Sequence, residues 1–252
     1  MSEKKVFLDI FNTRKPIIAM IHLKGESEAE IQERAKKEIA IYVEEGVDCI
    51  MMENYYGDFI QLEKAIQYIV SLKLPIPIGV NCLNLDSMGF YLANKYELDI
   101  VQVDSVVGHV KQRDEATLQA FFDLERGRTK ACLIGGVRFK YQPELSEKSL
   151  SEDLNIAKTR CDAVAVTQNA TGEETSMEKI QEFRDSLGEF PLVVAAGVTD
   201  DNVLAQLAIC DAAIVGSCFK DTKKDTGDVS RENVRKFMKL IKNIGRRYSD
   251  EY

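Results

Sequence analysis

Six polar residues stand at the ends of short apolar runs, where a strand would present its last side chain to a shared face. His22 closes IIAMIH, Glu53 closes IMME with Asn54 after it, Asn81 closes IPIGVN, and Gln102 and Asp104 close IVQVD. A histidine in that position can carry protons near neutral pH. A carboxylate can abstract a proton or hold a divalent cation through its oxygens. Asn54 and Asn81 do not titrate and would orient a substrate oxygen. Gln102 and Asp104 are two apart and share one strand face. If that face is interior, Asp104 must be paired, neutral or metal-bound. Each residue also has a structural reading. His22 would be a hydrogen-bonded core histidine, Glu53 would pair with Arg138 or Lys140, and the asparagines would shape turns.

A different chemistry is written in residues 191–220, PLVVAAGVTDDNVLAQLAICDAAIVGSCFK. Two short apolar runs joined by a short helix predict a βαβ crossover with parallel strands. Both runs end in glycine, at Gly197 and Gly216, so peptide N–H groups there can approach a ligand closely. With Val198, Thr199 and Ser217 they would form a phosphate grip, with Asp200 as the cap of the intervening helix. Thr171 and Gly172 in NATGEE offer a further anion-binding turn. Glycine also stops strands for geometry alone. His109 lies in a loop after the fourth apolar run and reads as a solvated residue.

These residues need a scaffold that brings strand ends together. Apolar runs at 15–23, 47–54, 76–81, 99–104, 130–137, 161–168, 191–196 and 211–215 alternate with helical periodicity at 27–45, 59–72, 86–96, 114–126, 150–159, 177–187, about 200 onward, and 230–244. Ser27 and Glu30 have capping-box spacing. Strands covered on both faces read as nearly continuous apolar runs, as these do. Asp48, Asp99, Asp162 and Asp211 open the even runs, while Pro16, Pro75, Pro77 and Pro191 open or precede odd ones. A two-unit module repeated four times predicts one closed (β/α)8 barrel over residues 1–252. Residues 1–14 would be a lead-in, with VFLDIF as a small helix closing the bottom, and 245–252 a loose tail. An open doubly wound sheet is the alternative, but no G-x-G-x-x-G follows the first run. In a barrel the active face is the carboxyl end of the strands. Acid–base candidates then fall on strands one to four, and the anion grip on strands six to eight.

The chain has 252 residues, 45% hydrophobic and 29% charged, with net charge −8. That is an ordinary globule with a large core, without the basic footprint of a nucleic-acid surface. The six cysteines include no C-x-x-C pair, so zinc-ribbon and thioredoxin readings lack support. No metal-site histidine pair, P-loop or nucleophile elbow appears. No strand core holds a lysine, which disfavours Schiff-base chemistry. Without an apolar run of membrane-spanning length or a secretory segment in MSEKKVFLDIF, the expectation is a cytoplasmic protein.

The segments KPIIAMIHL, EEGVDCIMMEN, IPIGVN, TQNATG, AAGVTDDN and AAIVGSCFK together resemble the BtpA/SgcQ family, in that family's order. By matching position, the family motifs fall on His22, Glu53, Asn54, Asn81, Gly172, Gly197, Thr199, Asn202, Gly216 and Lys220. The resemblance implies a ribulose-phosphate-binding type of barrel. It also implies relatives associated with photosystem I assembly or with sugar utilisation. This chain departs from the pattern in three places. The loop after the first strand is only LKGES, Asp104 stands where an amide is usual, and RFKYQP replaces a basic–histidine–alanine pattern after the fifth strand.

The favoured expectation is an isomerase, epimerase or lyase acting on a phosphorylated sugar or related metabolite. Glu53, Asp104, His22 and Asn81 would do the chemistry. Gly172, Gly197, Val198, Thr199, Gly216 and Ser217 would hold phosphate. No dedicated metal site is read, though Glu53 and Asp104 offer oxygens to a divalent metal that the chemistry does not require. Exposed helix faces leave room for a homo-oligomer. The alternative is a non-catalytic assembly or regulatory protein that keeps the barrel as a scaffold.

Overall fold

The structure is a computed structural model describing residues 5–107, 114–142, 144–145 and 147–249, with side chains to residue 242. His109 and its neighbours lie outside the described residues. Eight parallel strands close into a barrel in chain order: β1 (Ile17–His22), β2 (Cys49–Glu53), β3 (Ile78–Asn81), β4 (Ile100–Val103), β5 (Cys132–Gly136), β6 (Ala163–Val166), β7 (Leu192–Val194) and β8 (Ala212–Val215). The ring is sealed where β8 pairs with β1, Ile17 against Ala213 and Ala19 against Val215. The helices alternate with them: α1 (Glu28–Glu45), α2 (Phe59–Ser71), α3 (Asp86–Tyr96), α4 (Glu115–Arg128), α5 (Leu150–Arg160), α6 (Met177–Leu187), α7 (Val203–Ile209) and α8 (Arg231–Ser249). The closed barrel expected from the repeat is therefore present, and the open sheet is not.

Strand period two divides the core into two layers. Ile17, Ala19 and Ile21 of β1 face the helices with the larger outer cluster. Ile18 and Met20 face inward with Cys49, Met51, Ile100 and Ile134. The 3-10 turn Phe7–Ile10 lies at the amino ends of the strands, where Phe7 and Phe11 join the inner cluster.

Three local expectations need correction. Helix α7 starts at Val203 with Asn202 at its N-cap, not at Asp200, whose carboxylate instead takes Lys236 of α8. Helix α8 continues to Ser249, five residues beyond the apolar periodicity. At α1 only half of the capping box forms. Ser27 Oγ accepts from Glu30 N, but Glu30 Oε2 accepts from Glu26 N rather than from the cap residue.

The four aspartates of the repeat do the same work. Asp48, Asp99, Asp162 and Asp211 each accept, through Oδ2, an N–H at the start of the preceding strand, from Ile17, Ile78, Leu133 (the second residue of β5) and Leu192, at 2.8–3.1 Å. Each aspartate N–H returns a bond to the carbonyl of the same residue, at 2.8–3.2 Å. Every odd–even strand pair is thus clipped at the amino end of the barrel, away from the candidate site.

Candidate functional site

His22, Glu53, Asn81 and Gln102 are register partners on four successive strands. They lie two residues beyond the inward-facing Met20, Met51, Gly79 and Ile100, so strand period directs all four into the barrel mouth. All are buried, at 6%, 3%, 2% and 6% exposure. Asn81 Nδ2 bridges them, donating to Glu53 Oε1 at 3.0 Å and to Asp104 Oδ1 at 3.2 Å. Gln102 Nε2 also donates to Asp104 Oδ1, at 3.2 Å. His22 Nε2 lies 3.3 Å from Glu53 Oε2, and its ring stacks on Tyr55 with centroids 4.7 Å apart. Glu53 therefore pairs with neither Arg138 nor Lys140. Arg138 is held by Asp153 and Glu144.

Burial sets the charge of the pair, because a dry environment disfavours ions. It pushes the Glu53 carboxyl up to about 8, against Lys140 and with help from Asp104. It lowers the His22 imidazole to about 3, reinforced by Lys220 and Lys140. At neutral pH Glu53 holds a proton and His22 is neutral. Three buried polar atoms at this end have no hydrogen-bond partner among the described residues: His22 Nδ1, Glu53 Oε2 and Gln102 Oε1.

These groups open on a cavity of about 250 Å³. His22, Glu53 and Gln102 line it on one side. Gly172, Gly197, Val198, Thr199, Gly216 and Ser217 line it on the other, all six of the residues expected to grip phosphate. Asn81 and Asp104, expected among the reacting groups, do not line it; they are joined to it by hydrogen bonds through Glu53 and Gln102. The glycine side is tightly built. Ala196 and Gly197 are successive left-handed residues, φ +62° and +61°. A Cβ on Gly197 would lie 2.2 Å from Glu173 O, so only glycine lets the loop after β6 approach. Asn202 braces the turn, accepting from Thr199 N at 2.8 Å and donating to Gly197 O at 2.9 Å. The Thr199 amide is thereby occupied, leaving its hydroxyl as the group it can offer. Gly216 packs on the His22 ring, since a Cβ there would lie 3.0 Å from Cε1.

Like Asn202, two further motif residues have structural partners instead. Asn54 Oδ1 accepts from Leu83 N at 2.8 Å and holds the loop after β3. Lys220 is fully buried and pairs with Glu38 of α1 at 3.1 Å. Conversely, Lys140, Phe139, Lys223 and Cys218 line the cavity but were not among the expected site residues. Only the basic character of RFKYQP hinted at Lys140. Among the described residues, no three His, Cys, Asp or Glu side chains cluster to hold a metal ion. Nor is any helix among them long and apolar enough to cross a membrane.

A closed eight-stranded barrel with a polar cavity at the carboxyl ends of its strands is the architecture of the (β/α)8 barrels. Within that class the chain belongs to the BtpA family, whose model matches residues 13–243. An uncharacterized protein of Pyrococcus abyssi is 27% identical over 255 residues, covering 91% of this chain and 97% of that one. The photosystem I biogenesis protein BtpA of Synechocystis is 22% identical over 236 residues, covering 83% and 82%. Among solved structures, phosphoribosyl anthranilate isomerase of Thermus thermophilus superposes with a TM-score of 0.60 at 12% identity, covering 91% of this chain and 99% of that one, a likeness of fold.

Proposed function

We propose that the chain binds a phosphorylated sugar or related small metabolite and transforms it by proton transfer, as an isomerase, epimerase or lyase. One observation carries this reading. A single cavity has a protonated carboxyl and a neutral imidazole on one wall and glycine-rich turns on the other. Among the described residues no acceptor is found for the N–H groups of Gly197, Val198, Gly216 and Ser217. Backbone donors of this kind suit phosphate oxygens. At the other end, Asn81 occupies Glu53 Oε1 and leaves Oε2 for proton exchange. Glu53 acts as general acid toward a substrate oxygen, and the neutral His22 accepts a proton. Asp104 orients Asn81 and Gln102.

Thermal shift with sugar phosphates and inorganic phosphate tests the binding. Ligand at 100 times its dissociation constant adds about 2.7 kcal/mol of stability. No shift with any of them sinks the proposal. Once a substrate is found, Glu53→Gln keeps binding and loses about 10²- to 10⁴-fold in turnover. Its kcat/KM in the native chain falls above about pH 8, as Glu53 loses its proton.

The second reading is an assembly protein without turnover, favoured by the name of the Synechocystis relative. Glu53→Gln with Asp104→Asn separates the two, since a scaffold keeps its cellular role and an enzyme loses it. We extend the first reading to a cytoplasmic protein with no nucleic-acid partner, net charge −8 opposing one. A homo-oligomer through its helix faces is checked by light scattering.

A further inference from the structure

Tyr55 is the second residue after Glu53 at the end of β2, and Thr171 lies in the loop after β6. With the strands closed in chain order, β2 and β6 stand opposite each other across the ring. The two side chains nevertheless meet, with Tyr55 Oη 3.2 Å from Thr171 Oγ1. The Tyr55 ring stacks on His22, with centroids 4.7 Å and planes 25° apart. Tyr55 does not line the cavity, whereas His22 and Thr171 both do. It forms a strap across the barrel mouth, laid on the imidazole.

The strap is held at both ends. At its root the Tyr55 ring meets Tyr56 edge-on at 4.8 Å, and Tyr56 Oη donates to Asp225 Oδ2 at 3.0 Å in the loop after β8. At its tip Thr171 N donates to Tyr141 Oη at 3.0 Å, and Lys140 Nζ donates to Thr171 Oγ1 at 3.2 Å. The Thr171 hydroxyl is the junction. A hydroxyl has one proton to give and two lone pairs to fill, and an ammonium only donates. With Lys140 on one lone pair and Tyr55 on the other, the proton is left for an acceptor in the cavity, such as a phosphate oxygen. A hydroxyl that donates to an anion is also a stronger acceptor, because linked hydrogen bonds polarise one another. Phosphate on this turn therefore tightens the bond from Tyr55. His22 feels the result. Its Nδ1 has no partner among the described residues, so beyond Glu53 the ring is held by packing on Tyr55 and Gly216.

We propose that Tyr55 is a positioning residue that couples phosphate to the base: phosphate on the Thr171 turn fixes the Tyr55 hydroxyl, and the Tyr55 ring then holds and covers His22. This rests on the reading that the Thr171–Gly172 turn takes phosphate. A ligand without the phosphate meets a loosely held imidazole and loses turnover as well as affinity.

Ethoxyformylation of His22 by diethyl pyrocarbonate tests it on the full chain. The rate is read from the mass of the His22 peptide, and inorganic phosphate is the probe. In the native chain saturating phosphate slows the reaction at least fivefold, against chloride at equal ionic strength. Tyr55→Phe keeps the ring and loses the hydroxyl. In that variant His22 reacts faster without phosphate, and saturating phosphate slows it less than twofold. Tyr55→Met, without ring or hydroxyl, reacts faster still and gains no protection. Thr171→Ser keeps the hydroxyl and keeps the protection. Titration calorimetry sets the saturating concentration for each variant, and melting curves confirm that each is folded. Equal protection of the native chain and Tyr55→Phe overturns the inference, since phosphate then shields His22 directly. A native chain that binds phosphate without protecting His22 overturns it too. Both results leave phosphate binding, and the broader function, standing. If calorimetry shows no binding of inorganic phosphate, both fall together.

Discussion

Glu53 and His22 are displaced in opposite directions by the same burial, and that makes the stability of the chain depend on pH in two arms. Unfolded, the carboxyl titrates near 4.5 and the imidazole near 6.5; folded, they titrate near 8 and 3. Below the unfolded carboxyl value only His22 differs between states. The unfolded chain binds its proton and the folded chain does not, so stability falls toward pH 3. Between 4.5 and 6.5 the folded chain holds one extra proton on Glu53 and lacks one on His22, and the two effects cancel. Above 6.5 only Glu53 differs, and stability falls toward pH 8. Each pH unit within an arm is worth up to about 1.4 kcal/mol. Urea midpoints across pH 3–9 should therefore show a plateau with two falling sides from this pair. Glu53→Gln should flatten the alkaline side and His22→Gln the acid side; unchanged sides in both variants would refute the burial account. His22, Glu53, Asn81 and Asp104 were legible because each ends an apolar run, and a strand hands its last inward residue to the barrel mouth. Lys140 was not, because its place in the cavity depends on how the loop after β5 folds back over Thr167 and Thr171.

At the scale of elements, the aspartate clips and the glycine turns are the two devices that shape opposite ends of the barrel. The clip at β7–β8 uses Asp211, which accepts from Leu192 N at 2.9 Å and pairs with Arg184 at 2.6 Å. Asp211→Ala leaves that N–H without its acceptor and should cost about 1–3 kcal/mol. Asp211→Asn keeps an acceptor and should cost less. Equal losses in chemical denaturation would show that charge, not the strand clip, is what matters. At the other end, Gly197→Ala meets a left-handed backbone penalty of about 1–2 kcal/mol before its contact with Glu173 O is counted. It should destabilise the chain and abolish phosphate-dependent thermal stabilisation together. A variant of native stability that binds inorganic phosphate normally would contradict the close approach of these loops.

For the molecule as a whole, closure joins the last unit to the first. Lys220, after β8, is fully buried against Glu38 of α1, with Nζ at 3.1 and 3.2 Å from the two carboxylate oxygens. Lys220→Met strands the Glu38 carboxylate and should cost about 3–5 kcal/mol. Lys220→Met with Glu38→Gln should recover much of that loss. A double-mutant cycle in urea measures the coupling, and additive losses would show that the two ends are not joined through this pair. What the chain's own pattern determined was the eight-fold alternation, the inward period of each strand and the division between acidic and glycine-bearing strand ends, because periodicity and strand termini are local properties. What only the tertiary structure decided was which loops fold over the mouth, which charges are neutralised elsewhere and which remain. Those outcomes depend on contacts between residues far apart in the chain, such as Lys220 with Glu38, Asp200 with Lys236 and Lys140 with Thr171, and on the burial that closing the ring imposes on Glu53 and His22.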